Sequence, residues 1–353
     1  MQHHAYVLIL LEITLLGTGT LVQAQEEMPP VPPPAAELLL PPVPQQVLSA
    51  QQLNNLVAPI ALYPDPLLGQ LLIASTYPLE IVEANQWLQQ NKNLGGQELM
   101  ETIKQQPWDP SVQALVAVSD ALEKLNQDIS WTTDLGNAFL SQQAEVMNAV
   151  QQMRARAEGN GNLTSTPQQT VTTEAQGGQQ VIVIQPADPQ VIYVPSYDPF
   201  YVWGPPVYGY YPPLYYSGFG FGRGFNLSFC FDEGGGWAGW GWSPNWSGRT
   251  VFINNSFFLR FGFHDGFGAG FVGRTIWEHD PVHRFGIPYW NQQAAARFHG
   301  PPMASRNSFQ EGRGSRATTM PYADRSLGRT GELGYRNLAH SPQRFQSQPQ
   351  QKY

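Results

Sequence analysis

Aromatic residues are concentrated in one stretch of the chain, and their spacing there limits what that stretch can form. Residues 193–298 hold 31 of the 43 Phe, Trp and Tyr residues. In two runs the large apolar residues fall at odd positions, and Gly, Asn, Ser and Arg fill much of the other register. A period of two places them on one face of a β-strand. The first run is Phe219, Phe221, Phe225, Leu227, Phe229 and Phe231, and the second is Phe257, Leu259, Phe261, Phe263, Phe267 and Phe271.

The region before this stretch, residues 47–157, is rich in Leu, Gln, Ala and Glu and is predicted to be helical. Asp65-Pro66 and Asp109-Pro110 each place an N-cap residue before a proline at the first helical position. The last helix is long, because apolar residues recur there at spacings that fit one helical face. These residues are Leu135, Phe139, Val146, Val150 and Met153. We predict one all-α domain of about six helices.

The fold class that follows is α + β with the two parts segregated: an all-α domain, then a small β-hairpin, then a Gly/aromatic-rich β or irregular segment, with disordered termini. The hairpin is predicted from a repeat, because Val181–Pro189 is echoed by Val191–Pro199, and each copy is a short β-branched run that ends at a proline turn. The predicted segments are a signal peptide (1–24), a Pro-rich linker (25–46), the helical domain (47–157), a linker (158–180), the strand pair (181–203), the Gly/aromatic-rich segment (204–298) and a basic disordered tail (299–353).

The N-terminus predicts an exported protein of the periplasm or cell envelope. An apolar run at residues 6–16 is followed by Val22-Gln23-Ala24, which has small residues at the −3 and −1 positions of a signal-peptidase site. The run is shorter than the ~20 residues that a spanning helix needs. If the signal is not cleaved, it becomes an N-terminal membrane anchor, and the Pro-rich segment becomes its stalk.

Three stretches resemble a bacterial family known only as domain of unknown function 3300. They are Leu56–Leu68 (LVAPIALYPDPLL), Val191–Pro199 (VIYVPSYDP) and His279–Arg284 (HDPVHR), and the resemblance covers about residues 50–298. It implies a bacterial envelope protein, and the family's members are described as membrane proteins. It brings no activity, cofactor or catalytic residue with it.

The aromatic segment supports three interpretations. It packs on the helical domain, it stays disordered, or it offers a surface that binds lipid interfaces or wall glycan. The last is favoured by the preference of Trp and Tyr for membrane interfaces and by their stacking on ligand surfaces. A Gly-rich stretch holds few core contacts, which favours mobile tryptophans. The predicted binding residues are Trp237, Trp240, Trp242, Trp246, Phe261 and Phe263.

Histidine and carboxylate side chains supply the alternative function, a metal-binding protein or metal-dependent enzyme. The candidate ligands are His264, His279 and His283, and Pro281 favours a loop rather than a helix around the last two. The competing interpretation is a turn in which Asp280 and His283 bond backbone groups.

Composition and motifs exclude several other functions. The net charge of −8 argues against nucleic-acid binding, and the single cysteine excludes an internal disulfide framework. The sequence has no nucleophile elbow, phosphate loop or Cys-His pair. We therefore expect a non-catalytic envelope protein, a scaffold or surface binder, without a cofactor, whose partner is envelope lipid or wall polymer; the oligomeric state is open.

The signal assignment predicts the mass of the mature protein. Protein recovered from the envelope fraction should lack residues 1–24, and intact mass spectrometry measures this directly. Retention of those residues would identify an anchored protein instead.

Overall fold

The computed structural model describes residues 47–216, 218–226, 240–261 and 273–302. The predicted signal peptide, the Pro-rich linker to residue 46 and the tail from residue 303 lie outside the described residues. The helices are α1 (Ala50–Val57), α2 (Asp65–Ala74), α3 (Pro78–Gln90), α4 (Gly96–Ile103), α5 (Pro110–Val116), α6 (Ser119–Asn126), α7 (Ile129–Ser141), α8 (Gln143–Gly159), α9 (Pro199–Trp203), α10 (Asn255–Phe261) and α11 (Gln292–Arg297). The strands are β1 (Gln169–Gln176), β2 (Gln179–Pro186), β3 (Val191–Ile192), β4 (Pro195–Ser196), β5 (Gly220–Phe221), β6 (Phe225–Asn226), β7 (Trp242–Asn245), β8 (Thr250–Asn254) and β9 (Arg274–Ile276).

The α + β fold class is confirmed, but residues 47–159 form eight helices rather than about six. The predicted long last helix is divided at Gln142 into α7 and α8. The start of α5 lies where the sequence places it. Pro110 is the first residue of α5, and the side chain of Asp109 accepts a hydrogen bond from the Ser111 amide. At α2 the prediction is wrong in one respect. Pro64 is the N-cap residue and has no side-chain cap bond, because the carboxylate of Asp65 is turned inward to Arg154.

The strands pair differently from the sequence prediction. The repeat copies do not pair with each other: β2 pairs with β1, whereas the second copy forms β3, which pairs with β6, and β4, which pairs with β5. The predicted linker 158–180 therefore contains β1 and the turn to β2. Gly177 and Gly178 form that turn with φ of 58° and 79°, the left-handed backbone that a two-residue hairpin turn needs. Most side chains of β1 are polar and exposed, so the sequence shows no hydrophobic alternation that would predict the strand.

The aromatic runs are strands only in part. Gly220–Phe221 and Phe225–Asn226 pair with the second repeat copy, but the second run begins as helix α10, which buries Phe257 and Phe258 together. Consecutive buried rings do not fit a strand with one apolar face. The remainder of both runs, at 227–231 and 262–271, lies outside the described residues.

One buried arginine joins the helices to the strands. Arg154 of α8 donates to the carbonyls of Ala61, Tyr63 and Ile182 and to the carboxylate of Asp65. The second carboxylate oxygen of Asp65 accepts a hydrogen bond of 2.8 Å from the indole of Trp246.

The helices and strands therefore share one core, and residues 47–157 are not separated from the rest as a domain. Helix α2 lies directly on β7, where a Cβ at Gly69 would be 3.3 Å from Pro244. The buried apolar cluster runs from Leu53 through β2 to Ala295. Among the described helices, none is long and apolar enough to cross a membrane.

We predict that Arg154→Met destabilises the fold by about 3–5 kcal/mol, because it leaves the buried carboxylate of Asp65 without its cation. Arg156→Gln is the matched control, since Arg156 is half-buried on the same helix and makes only long contacts, of 3.5 Å with the Trp203 carbonyl and 4.0 Å with the Met153 sulfur, among the described residues. It should cost about 1 kcal/mol or less. Urea unfolding measures both, and equal losses would contradict the role given to Arg154.

Candidate ligand-binding surface

The HDPVHR motif forms a short 3-10 helix, Pro281–Arg284, that docks on the helical core. Asp280 caps it by accepting a hydrogen bond of 2.9 Å from the Val282 amide, as the turn interpretation expected. The backbone amide of Asp280 donates to the hydroxyl of Tyr77, at the start of α3. We call residues 279–284 the clasp, because its side chains hold the chain's later part to the α2–α3 turn.

His283 bonds a side chain rather than the expected backbone group. Its Nδ1 lies 2.7 Å from Oε1 of Glu80, and the other oxygen of Glu80 accepts from the Asp109 amide at 2.7 Å. The Glu80 side chain is fully buried, whereas that of His283 is 15% exposed. The hydrogen bond to Glu80 raises the pKa of His283, and burial raises the pKa of Glu80.

His279 and Arg284 of the clasp also make specific contacts. His279 stacks on Tyr77 at 5.2 Å between ring centroids, and its Nε2 lies 3.0 Å from the hydroxyl of Tyr289. Burial lowers the pKa of His279 to about 3, so the ring stays neutral. Arg284 is buried and donates to the Thr76 carbonyl and to the amide oxygen of Asn137, both at 2.8 Å.

The candidate metal site is only partly placed. His264 lies outside the described residues, while His279 and His283 bond Tyr289 and Glu80. Within the described ranges, no group of three or more His, Cys, Asp or Glu side chains is arranged to hold a metal ion. Metal binding stays an untested alternative, and the geometry of the clasp is that of a packing contact.

The tryptophans predicted to be mobile are buried where the structure describes them. Trp240, Trp242 and Trp246 are 3%, 2% and 4% exposed. The Trp240 indole donates to Gln70 at 3.1 Å, and Trp246 donates to Asp65. The expectation that a Gly-rich stretch cannot hold them is wrong, because polar atoms of α2 supply their partners. Trp237 and Phe263 lie outside the described residues, as does the side chain of Phe261.

The exposed aromatic surface lies earlier in the chain, in residues 200–219, which we call the tyrosine-rich segment. Large apolar side chains there are 53–80% exposed. They are Phe200, Tyr201, Val207, Tyr208, Tyr210, Tyr215 and Phe219. They are not among the binding residues predicted from the sequence, although its pattern GPPVYGYYPPLYY gives a signal. Pro and Gly stand between the rings without a period of two, which argues against a strand that buries them.

The backbone of this segment is fastened to the helices at both ends. The indole of Trp203 donates to the Met153 carbonyl at 2.8 Å, and Asn55 of α1 donates to the carbonyl of Tyr208. Further along, the amine of Lys124 on α6 donates to the Tyr215 carbonyl at 2.9 Å. The rings are therefore exposed on an ordered backbone.

A cavity of about 200 Å³ adjoins the end of this segment. Its walls come from α6, the residues before α2 and the β4–β5 pair, and they include Tyr63, Asp120, Lys124 and Tyr215. Stacking faces and hydrogen-bonding groups are thus brought together, a combination suited to binding a ligand that has both apolar and polar faces.

Comparison with known proteins identifies relatives but no activity. Residues 49–279 match the family model described as "Protein of unknown function (DUF3300)". The uncharacterized protein YacH of Escherichia coli (strain K12) is 30% identical over 324 residues, covering 73% of this chain and 51% of YacH. The chain thus spans about half the length of that relative. No solved structure matches.

The clasp predicts a pH-dependent stability difference between the wild type and His283→Gln. Below a pH of about 6.5 the imidazole is protonated in both folded and unfolded chains, and the bond to Glu80 contributes fully. As the pH rises through the raised pKa of His283, that contribution is lost. The variant should be less stable by about 1.5–3 kcal/mol at pH 6, with a smaller difference at pH 9.

Urea unfolding across that pH range measures the difference. His299→Asn is the control, since it replaces an exposed histidine near the end of the described chain. A difference that grows with pH would contradict the charged bond to Glu80.

Proposed function

Since this chain belongs to the DUF3300 family, which has no known function, we propose its role from its own surface. It is a non-catalytic binding protein of the bacterial envelope, and its tyrosine-rich segment binds wall glycan. The observation that carries this proposal is the group of exposed rings on residues 200–219. Its location rests on the predicted signal peptide.

Exposed rings in such number favour a binding role. Soluble proteins seldom leave contiguous apolar patches of more than a few hundred Å² in solvent unless the patch is used. The faces of tyrosine rings are electron-rich and pack well against the C–H faces of sugar rings. Tyr201 and Tyr210 are each 80% exposed, which leaves their faces accessible to a ligand.

The ordered backbone supports this role because it lowers the entropic cost of binding. A flexible segment loses backbone freedom when it captures a ligand, whereas this one is already held by Trp203, Asn55 and Lys124. Tyrosine adds little further cost, since only two torsions are fixed. Binding therefore orders only the exposed rings.

Charge favours glycan over lipid as the surface that is bound. The tyrosine-rich segment contains no Lys, Arg, Asp or Glu, so it lacks the cations that attract a protein segment to anionic lipid. The positive charge that the sequence does concentrate lies in the tail from residue 299, outside the tyrosine-rich segment. Stacking on a neutral sugar ring needs no positive charge.

Co-sedimentation with purified insoluble peptidoglycan tests the proposal. Changing Tyr201, Tyr208 and Tyr210 together to Ala should weaken binding at least tenfold, because each stacked ring contributes about 1 kcal/mol and about 1.4 kcal/mol is a factor of ten. The matched control changes the same three residues to Phe, which keeps the ring faces. That variant should bind within threefold of the wild type.

A further control, Val282→Ala, removes an exposed apolar side chain of the clasp and should leave binding unchanged. A wild type that does not sediment with peptidoglycan would overturn the proposal, as would an alanine variant that binds equally well. Vesicles of phosphatidylethanolamine and phosphatidylglycerol form the second arm. Binding to vesicles alone would make lipid the ligand and the glycan assignment wrong.

A further inference from the structure

Tyr63 lines the cavity beside the tyrosine-rich segment, and its buried hydroxyl is not used by the described protein atoms. Tyr63 is 1% exposed, yet its hydroxyl has no hydrogen-bond partner within the described ranges. The residue is held in place, because its carbonyl accepts from Arg154 at 2.9 Å and its ring packs edge-on against Tyr197. An unpartnered buried hydroxyl costs stability, so its retention here needs a reason.

The hydroxyl of Tyr63 is a hydrogen-bond donor at any physiological pH. Burial raises the pKa of Tyr63 far above its ordinary value, and the nearby charge of Asp120 raises it further. A ligand in the cavity meets carboxylate acceptors from α6, and one that reaches the hydroxyl of Tyr63 meets a neutral donor.

The charged groups around the cavity balance. Asp120, Glu123 and Lys124 of α6 line the cavity, and Arg223 is close enough to act on the charge of Asp120. Burial raises the pKa of Asp120, while Arg223 acts to lower it. The amine of Lys124 is already engaged with the Tyr215 carbonyl and lies 5.1 Å from the centre of the Tyr216 ring. With no excess of either charge, the cavity suits a neutral polar ligand better than an ion.

The size of the cavity and its glycine limit the ligand further. A volume of about 200 Å³ is below the 300–1,000 Å³ typical of sites for drug-sized molecules. Gly222 forms part of the wall, and a Cβ at that position would clash with the carboxylate of Asp120. Glycine therefore lets the β5 end of the wall approach α6 while the carboxylate keeps its position.

We infer that this cavity binds one neutral sugar unit. Tyr63 and Asp120 hydrogen-bond the hydroxyls of that sugar, and Tyr215 and Pro195 supply the apolar walls. The inference rests on the proposed function and adds to it a subsite. The exposed rings bind the glycan chain along its length, and the cavity takes a single residue of it. Tyr63 lies within the LVAPIALYPDPLL motif, so the donor is part of the most specific stretch of the sequence.

Calorimetric titration with the soluble tetrasaccharide of β-1,4-linked N-acetylglucosamine tests the subsite in the full mature chain. Tyr63→Phe removes only the hydroxyl and should lower the affinity about three- to tenfold, which is the loss of one hydrogen bond. Its melting temperature should equal or exceed that of the wild type, because none of the described protein atoms bonds this hydroxyl. A merely structural hydroxyl would lower the melting temperature.

Asp120→Asn is the second variant, because it keeps the shape of the side chain and replaces an acceptor oxygen with a donor. It should weaken the same titration, whereas Glu98→Gln, an exposed acid on α4, should not.

The outcomes separate the subsite from the function. If the wild type binds peptidoglycan but not the tetrasaccharide, or if Tyr63→Phe and Asp120→Asn bind the tetrasaccharide as the wild type does, the subsite is wrong and the function stands. If the wild type binds neither saccharide, both are wrong. Loss of affinity in both cavity variants, with the melting temperature of Tyr63→Phe preserved, supports the subsite.

Discussion

The buried guanidinium of Arg154 is the constraint on which the rest of the structure depends. A charge with no exposed surface is stable only if every donor is satisfied, and Arg154 finds acceptors on the turn before α2, on Asp65 and on β2. Asp65 in turn holds Trp246. These bonds fix the backbone at Tyr63, so the same arginine that joins helices to strands also positions one wall of the cavity.

The clasp performs a similar task at the other side of α2 and α3. Arg284 donates to the carbonyl of Thr76, between α2 and α3, and His283 hydrogen-bonds Glu80 in the first turn of α3. Polar residues therefore attach the later segments to the helical core at two places. The tyrosine-rich segment lies in the sequence between β2 and the clasp. It needs few of its rings for packing, because Tyr197 and Trp203 already anchor it through the carbonyls of Ala58 and Met153.

The sequence predicts those parts of the fold that depend on local chemistry. Proline at the first helical position gives the starts of α3 and α5, and the family resemblance is confirmed. It does not predict which side chains of the aromatic segment are buried, because that depends on distant partners. Trp240 is buried because Gln70 lies opposite it, and nothing near Trp240 in the sequence indicates this. The cavity is likewise invisible, since Tyr63, Asp120 and Tyr215 meet only in the folded chain.

The hydrogen bonds around Arg154 and Asp65 also affect when the core can form as the chain folds. Trp246 follows Asp65 by 181 residues, and contacts so distant along the chain form late because a long loop must first be closed. A chain that emerges from the ribosome with its N-terminus first presents Asp65 and Arg154 long before it presents that indole. The helical part therefore lacks a complete core until most of the polypeptide exists. If the predicted signal peptide directs export, this delay keeps the precursor unfolded until it has crossed the membrane.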